Sequence, residues 1–314
     1  MMKRNIFLSI GATIILFFSG YASADSTSSQ AGVNGYNVGP LINSLVIYPG
    51  STKLVTVYVQ NTSNAIENVQ TIVNNFVEAP SNDGTPELLF NNDYSKYGLK
   101  QFINVQNGNF ILAPKQQEGV NVNITIPKDT ESGGYFAAVR FAPQSAALGK
   151  NVNLSGSVAS LMLITVPGNL HEHLNINKFG ASDSSGHIHR IFTNHNSIYG
   201  YVYFNNSGNI QLQPFGAFDV HQGKNNLGNS VVNKGNGYIL PGSQRYFITK
   251  LSGIGSFGRY TLYGNFGYGS RGELLSATAT FYVVPIWIIW SFISLVVILI
   301  LIIATYLRLY HRSK

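Results

Sequence analysis

Apolar and polar positions alternate with a period of two through most of the chain, the spacing that sends successive side chains to opposite faces of a strand. The clearest run is Gly119–Ile126, GVNVNITI, with Val120, Val122, Ile124 and Ile126 on one face. Leu41, Leu45 and Ile47 alternate more loosely before the turn Tyr48-Pro-Gly50, and strands are predicted at Leu54–Val59 and Val69–Val77. Tyr135–Phe141 and Val158–Val166 are apolar almost throughout, as strands covered on both faces are. Turn clusters such as Asn61-Thr-Ser-Asn64 and Ala79-Pro-Ser-Asn-Asp-Gly84 separate the runs. Tyr94–Val105 fits a short helix or an edge strand equally well. Beyond a hinge at Val166-Pro-Gly-Asn169 the strands resume at Leu174–Phe179, Tyr199–Asn205, Gln211–His221, Arg245–Leu251, Tyr260–Tyr268 and Leu274–Val283.

This pattern predicts an all-β protein with two immunoglobulin-like antiparallel β-sandwich domains, residues 38–167 and 168–283, behind a flexible Ser/Gly/Gln/Asn-rich leader at 25–37. The halves share a punctuation. In each, a strand ends in Asn plus small polar residues (Asn61-Thr-Ser, Asn205-Asn-Ser-Gly), and a later Pro turn follows (Leu112-Ala-Pro-Lys, Leu240-Pro-Gly-Ser).

The period changes at Ile286–Leu307, an uncharged stretch that as a helix is about 33 Å long. A bilayer core is about 30 Å thick, so residues 284–307 are read as one transmembrane helix. Trp287 and Trp290 at one end and Tyr306 at the other suit the headgroup region, and Arg308, Arg312 and Lys314 in the tail 308–314 place that tail in the cytoplasm. At the other end Lys3 and Arg4, the apolar run Ile6–Phe18 and Ala22-Ser-Ala24 form the plan of a signal peptide, residues 1–24. Two exported domains on a single-pass anchor in the cell membrane follow. No Leu-Pro-x-Thr-Gly motif precedes the span, so the anchor reads as a retained helix.

The formal charge of +7 shrinks once it is located: five of the 20 basic residues lie in the signal peptide and tail, leaving 15 against 13 acidic ones. That balance is no nucleic-acid footprint. Without cysteine, burial alone must stabilise the fold.

No nucleophile, metalloprotease or phosphate-loop motif is present, so no catalytic residue and no cofactor is predicted and the protein is read as non-enzymatic. His171-x-His173 and His187-x-His189 have a spacing that can chelate a metal on a strand, yet they read first as exposed polar positions; a histidine-metal hydrolase is the weakest alternative. Tyr94, Tyr97 and Tyr135 are candidates for stacking on a glycan. Arg140, in an otherwise apolar strand, is a candidate to pair with a carboxylate such as Glu131 or to meet an anionic ligand.

Several segments resemble the WxL-interacting protein family of Gram-positive cell surfaces: Ile47-Tyr-Pro-Gly50, Val57–Asn61 with Thr62-Ser63, Phe110-Ile-Leu-Ala-Pro114, Ile126-Pro, Gly133-Gly-Tyr-Phe-Ala-Ala-Val-Arg-Phe141 and Leu163-Ile-Thr-Val-Pro-Gly168. The likeness covers most of residues 38–167 and is weaker beyond. It implies a first domain that binds peptidoglycan or another wall glycan and a second that docks an extracellular protein partner. A protein-only adhesin or scaffold that binds by strand addition is the alternative.

Overall fold

The computed structural model describes residues 31–33, 35–90, 95–106, 108–144 and 156–312. The signal peptide and its cleavage site, Tyr94 and Lys314 lie outside the described residues.

The first unit contains β1 (Ala31–Val33), β2 (Tyr36–Gly39), β3 (Ile42–Val46), β4 (Thr52–Asn61), β5 (Glu67–Asn74), β6 (Phe76–Glu78), β7 (Pro86–Leu88), β8 (Ile103–Val105), β9 (Asn109–Leu112), β10 (Gln117–Thr125), β11 (Gly133–Pro143) and β12 (Val158–Val166). One sheet has the order β1-β2-β4-β10-β8 and the facing one β3-β12-β11-β5-β9, with β6 and β7 a separate hairpin. The alternation read from GVNVNITI sets the register: Val120 lies opposite Val57 and Val122 opposite Val55, so one face of each strand is apolar. Val57, Val59, Val122 and Ile124 pack against Val139, Phe141, Met162 and Ile164 of the other sheet. Ala31–Val33 and residues 36–38 pair with each other and β2 with β4, so the described part of the segment expected to be a flexible leader is largely strand.

The second unit contains β13 (Leu174–Ser182), β14 (Ile191–Phe192), β15 (Tyr199–Asn206), β16 (Phe215–Gln222), β17 (Asn225–Val232), β18 (Gln244–Lys250), β19 (Gly258–Tyr268) and β20 (Glu273–Val283). Its sheets run β13-β15-β18 and β14-β20-β19-β16-β17. The core is aromatic: Phe266 meets Phe204 at 5.2 Å and Phe218 at 5.8 Å between ring centroids.

The topology repeats. In each unit the chain passes early from one sheet to the other, from β2 to β3 and from β13 to β14, and the second strand of each pair lies parallel to the last strand, β3 on β12 and β14 on β20. Among the described strands the other ladders are antiparallel, with one further parallel bridge, Gly98 to Phe136. Asn61 and Asn206, both fully buried, end equivalent strands. Asn61 Nδ2 donates to the carbonyls of Ala65 (2.7 Å), Leu112 (3.2 Å) and Ala113 (3.1 Å), and its Oδ1 accepts from Ser63 N–H. Asn206 Nδ2 donates to Ile210 (2.8 Å) and Ile239 (2.9 Å), and its Oδ1 accepts from Gly208 N–H. The matching Pro turns are therefore Leu112-Ala-Pro-Lys and Ile239-Leu-Pro-Gly, one residue earlier in the second unit than the sequence echo suggested.

Two residues past β20 the chain enters α1 (Ile286–Arg312), whose stretch Ile286–Leu309 is long and apolar enough to cross a membrane and is nowhere buried by the rest of the protein. Its hydroxyls are turned inward: Ser291 donates to the Trp287 carbonyl and Thr305 to that of Leu301, which leaves an apolar outer surface. Trp287, Trp290, Tyr306 and Arg308 are exposed along it.

Replacing Asn61 or Asn206 with Ala strands several buried carbonyls, at about 1–3 kcal/mol for an unsatisfied group. Urea unfolding is expected to show a loss of about 2 kcal/mol or more for Asn61→Ala and Asn206→Ala. The neighbouring half-buried Asn205→Ala should stay within about 1 kcal/mol of the parent.

Candidate functional site: the cleft between the sandwiches

The outward face of β11 and β12 is apolar as well as the inward one. Phe136, Ala138 and Leu163 on it pack with Phe76 of β6 and with Leu240 of the second sandwich. Polar bonds fix the join: Gly134 N–H donates to the Asn209 carbonyl (2.8 Å), Gln211 Nε2 to Thr165 Oγ1 (3.0 Å) and Tyr246 N–H to the Asn82 carbonyl (2.9 Å). The second sandwich thus covers the face that made β11 and β12 read as doubly buried.

The cover is incomplete. A cavity of about 210 Å³ remains, walled by Ile42, Phe76, Leu161, Leu163, Tyr238 and Leu240, with Glu78 and Arg245 set into it. Arg245 Nη1 donates to the Tyr238 carbonyl at 2.7 Å. Its guanidinium lies between Gly84 and Gly237, where an added Cβ would come within 1.9 Å and 2.6 Å of it. Gly84 also has φ +93°, so two independent constraints demand glycine there. Burial pushes the Glu78 carboxyl up to about 7, against the pull of the Arg245 charge and the Gly84 N–H. Burial likewise lowers the Arg245 guanidinium, with Glu78 opposing. The two do not reach ion-pair distance, and Glu78 Oε1 and Arg245 Nε are buried without a partner. An occupant with a donor and an acceptor has polar positions to satisfy between apolar walls.

One wall of the cavity begins at an open sheet edge. The bonds Leu161 N–H to Leu41 C=O and Ile47 N–H to Thr165 C=O turn the odd-numbered residues of this segment toward β12. The backbone groups of Ile42, Ser44 and Val46 therefore point out of the sheet. Ile42 is 45% and Val46 61% exposed. Other edges are shorter (β1, β8, β9, β14) or lie beside another strand, as β13 lies beside β20 and β17 beside β18. An unprotected edge with apolar side chains is a template for a further strand.

The residues proposed from sequence do not converge on one site. The Tyr97 ring packs edge-on against Phe136 at 6.4 Å, with Lys96 Nζ 5.4 Å from its centroid. Tyr135 turns to the opposite face of β11, its ring 5.9 Å from Phe102 and its hydroxyl donating to the Glu131 carbonyl at 2.9 Å. Arg140, five residues on, faces away from Tyr135 and is buried with its guanidinium 5.8 Å from the Phe90 ring. Among the described residues no carboxylate lies within ion-pair distance of it, Glu131 included. His187 and His189 both reach Asp183 Oδ2, at 3.4 Å and 3.2 Å. His171 and His173 instead line a separate polar cavity beside Glu172. Among the described residues no group of three His, Asp or Glu side chains is placed to hold a metal.

No family model matches the chain, and no curated protein matches it. Among solved structures it is similar to the class 5 fimbriae chaperone CfaA (14% identity, TM-score 0.39, covering 80% of this chain and 99% of that one). It is also similar to the E. coli chaperone DraB (14% identity, TM-score 0.33, 80% and 98%). A third is the CsuC–CsuE chaperone–tip adhesion subunit complex of Acinetobacter baumannii (13% identity, TM-score 0.39, 77% and 97%). Likenesses this distant carry no inference about function.

Sequence reasoning did not single out Glu78 or the cleft. Arg245 opens the predicted strand Arg245–Leu251, but nothing local marks it as buried. Because the Glu78 carboxyl titrates higher when folded than when unfolded, its contribution to stability is full below pH 4.5 and is lost as pH rises through about 7. The melting temperature is expected to fall between pH 5 and pH 8, and Glu78→Gln to flatten that fall by about 2–4 °C. Equal slopes in parent and variant would remove Glu78 from the pH response.

Proposed function

We propose that this protein is a non-enzymatic, membrane-tethered surface protein that receives an extended segment of a protein partner along the edge of β3. The observation that carries the reading is the outward row of backbone groups at Ile42, Ser44 and Val46 beside a partly apolar cavity. Backbone bonds to such an edge give affinity, and alternate side chains entering a pocket give choice of sequence. One side chain of the added strand would lie over Ile42 and reach the cavity where Glu78 and Arg245 have unsatisfied atoms. The resemblance of residues 38–167 to the WxL-interacting protein family agrees with a binding role on a cell surface. The helix α1 supplies the tether.

A wall glycan is the second reading, and one observation favours it. The outward face of β2, β4, β10 and β8 carries Asn37, Gln60, Tyr58, Thr56, Asn121 and Asn123 among its side chains and no charge. Tyr58 lies across Gly119, and Thr56 donates to Asn121 Oδ1 at 3.0 Å. A flat amide-and-hydroxyl surface with one half-exposed ring suits a neutral sugar chain.

Ser44→Pro separates the two readings. It deletes an outward N–H without touching the bonds to β12, and edge strands tolerate proline. A photoreactive side chain at Val46 on intact cells is expected to crosslink to a protein, and Ser44→Pro to cut the yield about tenfold, the worth of one backbone hydrogen bond. If the Val46 probe gives no protein adduct while the exported part pellets with insoluble peptidoglycan and Tyr58→Ala releases it, the strand-addition reading fails and the glycan reading stands.

A further inference from the structure

The end of the second sandwich nearest α1 is built differently from the rest of the molecule. β20 ends at Val283, and only Val284 and Pro285 separate it from the helix. Strand register identifies what shares that end. Val283 lies opposite Gly258 of β19 and Phe192 of β14, and Tyr282 opposite Arg259. The Gln222 side chain lies against Gly258, so the turn Gly223-Lys224 between β16 and β17 is at the same end. The sheet therefore presents Arg190, Arg259 and Lys224 there, together with exposed Ile191, Phe257 and Tyr282.

Beside this end, between β13 and β20, lies a cavity of about 500 Å³, within the range of about 300–1,000 Å³ typical of small-ligand sites. Arg190 and Arg259 line it with His189, Thr278, Thr280 and Tyr282, and Ile188 and Phe179 supply apolar surface. Among the described residues neither arginine has a carboxylate within ion-pair distance. Asp183, the acidic group beside this region, is taken up by His187 and His189. Unpaired guanidinium groups beside hydroxyls are suited to a phosphate.

Chain length fixes which phosphate is at hand. From Tyr282 to Ile286 the chain spans at most about 14 Å fully extended. The headgroup layer on each side of a bilayer is about 5–8 Å deep, so the rim of the cavity lies at or just above it once α1 is inserted. We propose that this end of the second sandwich rests on the bilayer and that the cavity beside β20 holds the anionic headgroup of a lipid, with Arg190 and Arg259 on the phosphate and Phe257 and Ile191 in the interface. The inference rests on α1 spanning the membrane and is independent of what binds at β3.

The chain has no cysteine and two tryptophans, both in α1, so one protein can carry two separate reporters. The full chain is placed in nanodiscs of zwitterionic lipid alone or with phosphatidylglycerol. A fluorophore goes on Phe257→Cys or, at the far end of the same hairpin, on Arg271→Cys. Quenching of Trp287 and Trp290 by brominated lipid reports insertion of α1. Headgroup-nitroxide lipid should quench the label at 257 and not that at 271, more strongly with phosphatidylglycerol. Arg190→Gln with Arg259→Gln should abolish the extra quenching that phosphatidylglycerol adds at 257 while the near-ultraviolet circular dichroism is unchanged. Quenched tryptophans with equal, weak quenching at 257 and 271 would overturn the headgroup site alone. Quenching at 257 that ignores both lipid charge and the two arginines would also overturn it. Unquenched tryptophans would overturn the membrane span and the site with it.

Discussion

Each sandwich depends on one buried side-chain amide. Where β4 and β15 end, the chain must leave its sheet and turn toward the other, and at that point backbone carbonyls lose their ladder partners inside the protein. Asn61 and Asn206 supply the missing donors and, through Oδ1, also fix the N–H two residues on. Asn is suited to this because its amide both donates and accepts within a short reach. Asp would have no donor for the carbonyls, and Gln would carry an extra methylene in a site already filled. The Pro turns these amides hold, at Pro114 and Pro241, set where β10 and β18 begin, and so where both sheets of each unit align.

From that constraint the cleft follows. The turn held by Asn206 projects Tyr238 and Leu240 onto the outward face of β11 and β12, and the loop after it, at Asn209 and Gln211, bonds back to Gly134 and Thr165. The contact is mixed: apolar at Leu163 and Phe136, polar at its margins. Into this joint the fold puts Glu78 and Arg245, neither fully partnered. Buried charges left short of ideal pairing cost stability, so they mark a place where the joint is weaker than its area suggests.

The strands were legible in sequence where alternation is strong and missing where it is not. Val158–Val166 coincides with β12, and GVNVNITI sits almost entirely in β10. Asn225–Val232 was not read as a strand because Asn, Gly and Ser occupy most of it, yet β17 forms by pairing with β16 at the sheet edge. Tyr94–Val105, left between helix and strand, contains a single 3-10 turn at Lys100–Phe102 followed by β8. The doubly apolar character of Tyr135–Phe141 was visible, but what covers its second face was not, since Phe76, Tyr97 and Leu240 reach it from distant parts of the chain. Cleft residues are non-local for the same reason: Glu78 and Arg245 are 167 positions apart in the sequence, and no spacing rule joins them. The helix, by contrast, needs no partner to be recognised, and its apolar stretch was read to within two residues.

The arrangement also decides how a load would travel. A strand added to β3 pulls on a ladder that is parallel to β12, so β3 and β12 are loaded in shear along several hydrogen bonds at once. β12 continues through a short turn into β13 of the second sandwich. The other end of that sandwich is β20, paired with β19 along its whole length, and β20 continues almost directly into α1. A partner drawn away from the membrane would therefore load ladders along their length at both ends of the protein rather than unzip them bond by bond. The joint between the sandwiches, where Glu78 Oε1 and Arg245 Nε are buried without a partner, lies on this path and adjoins the proposed binding edge. An occupant that satisfies Glu78 Oε1 and Arg245 Nε would remove the cost of leaving them buried and unpartnered, and so would stabilise the joint on that path.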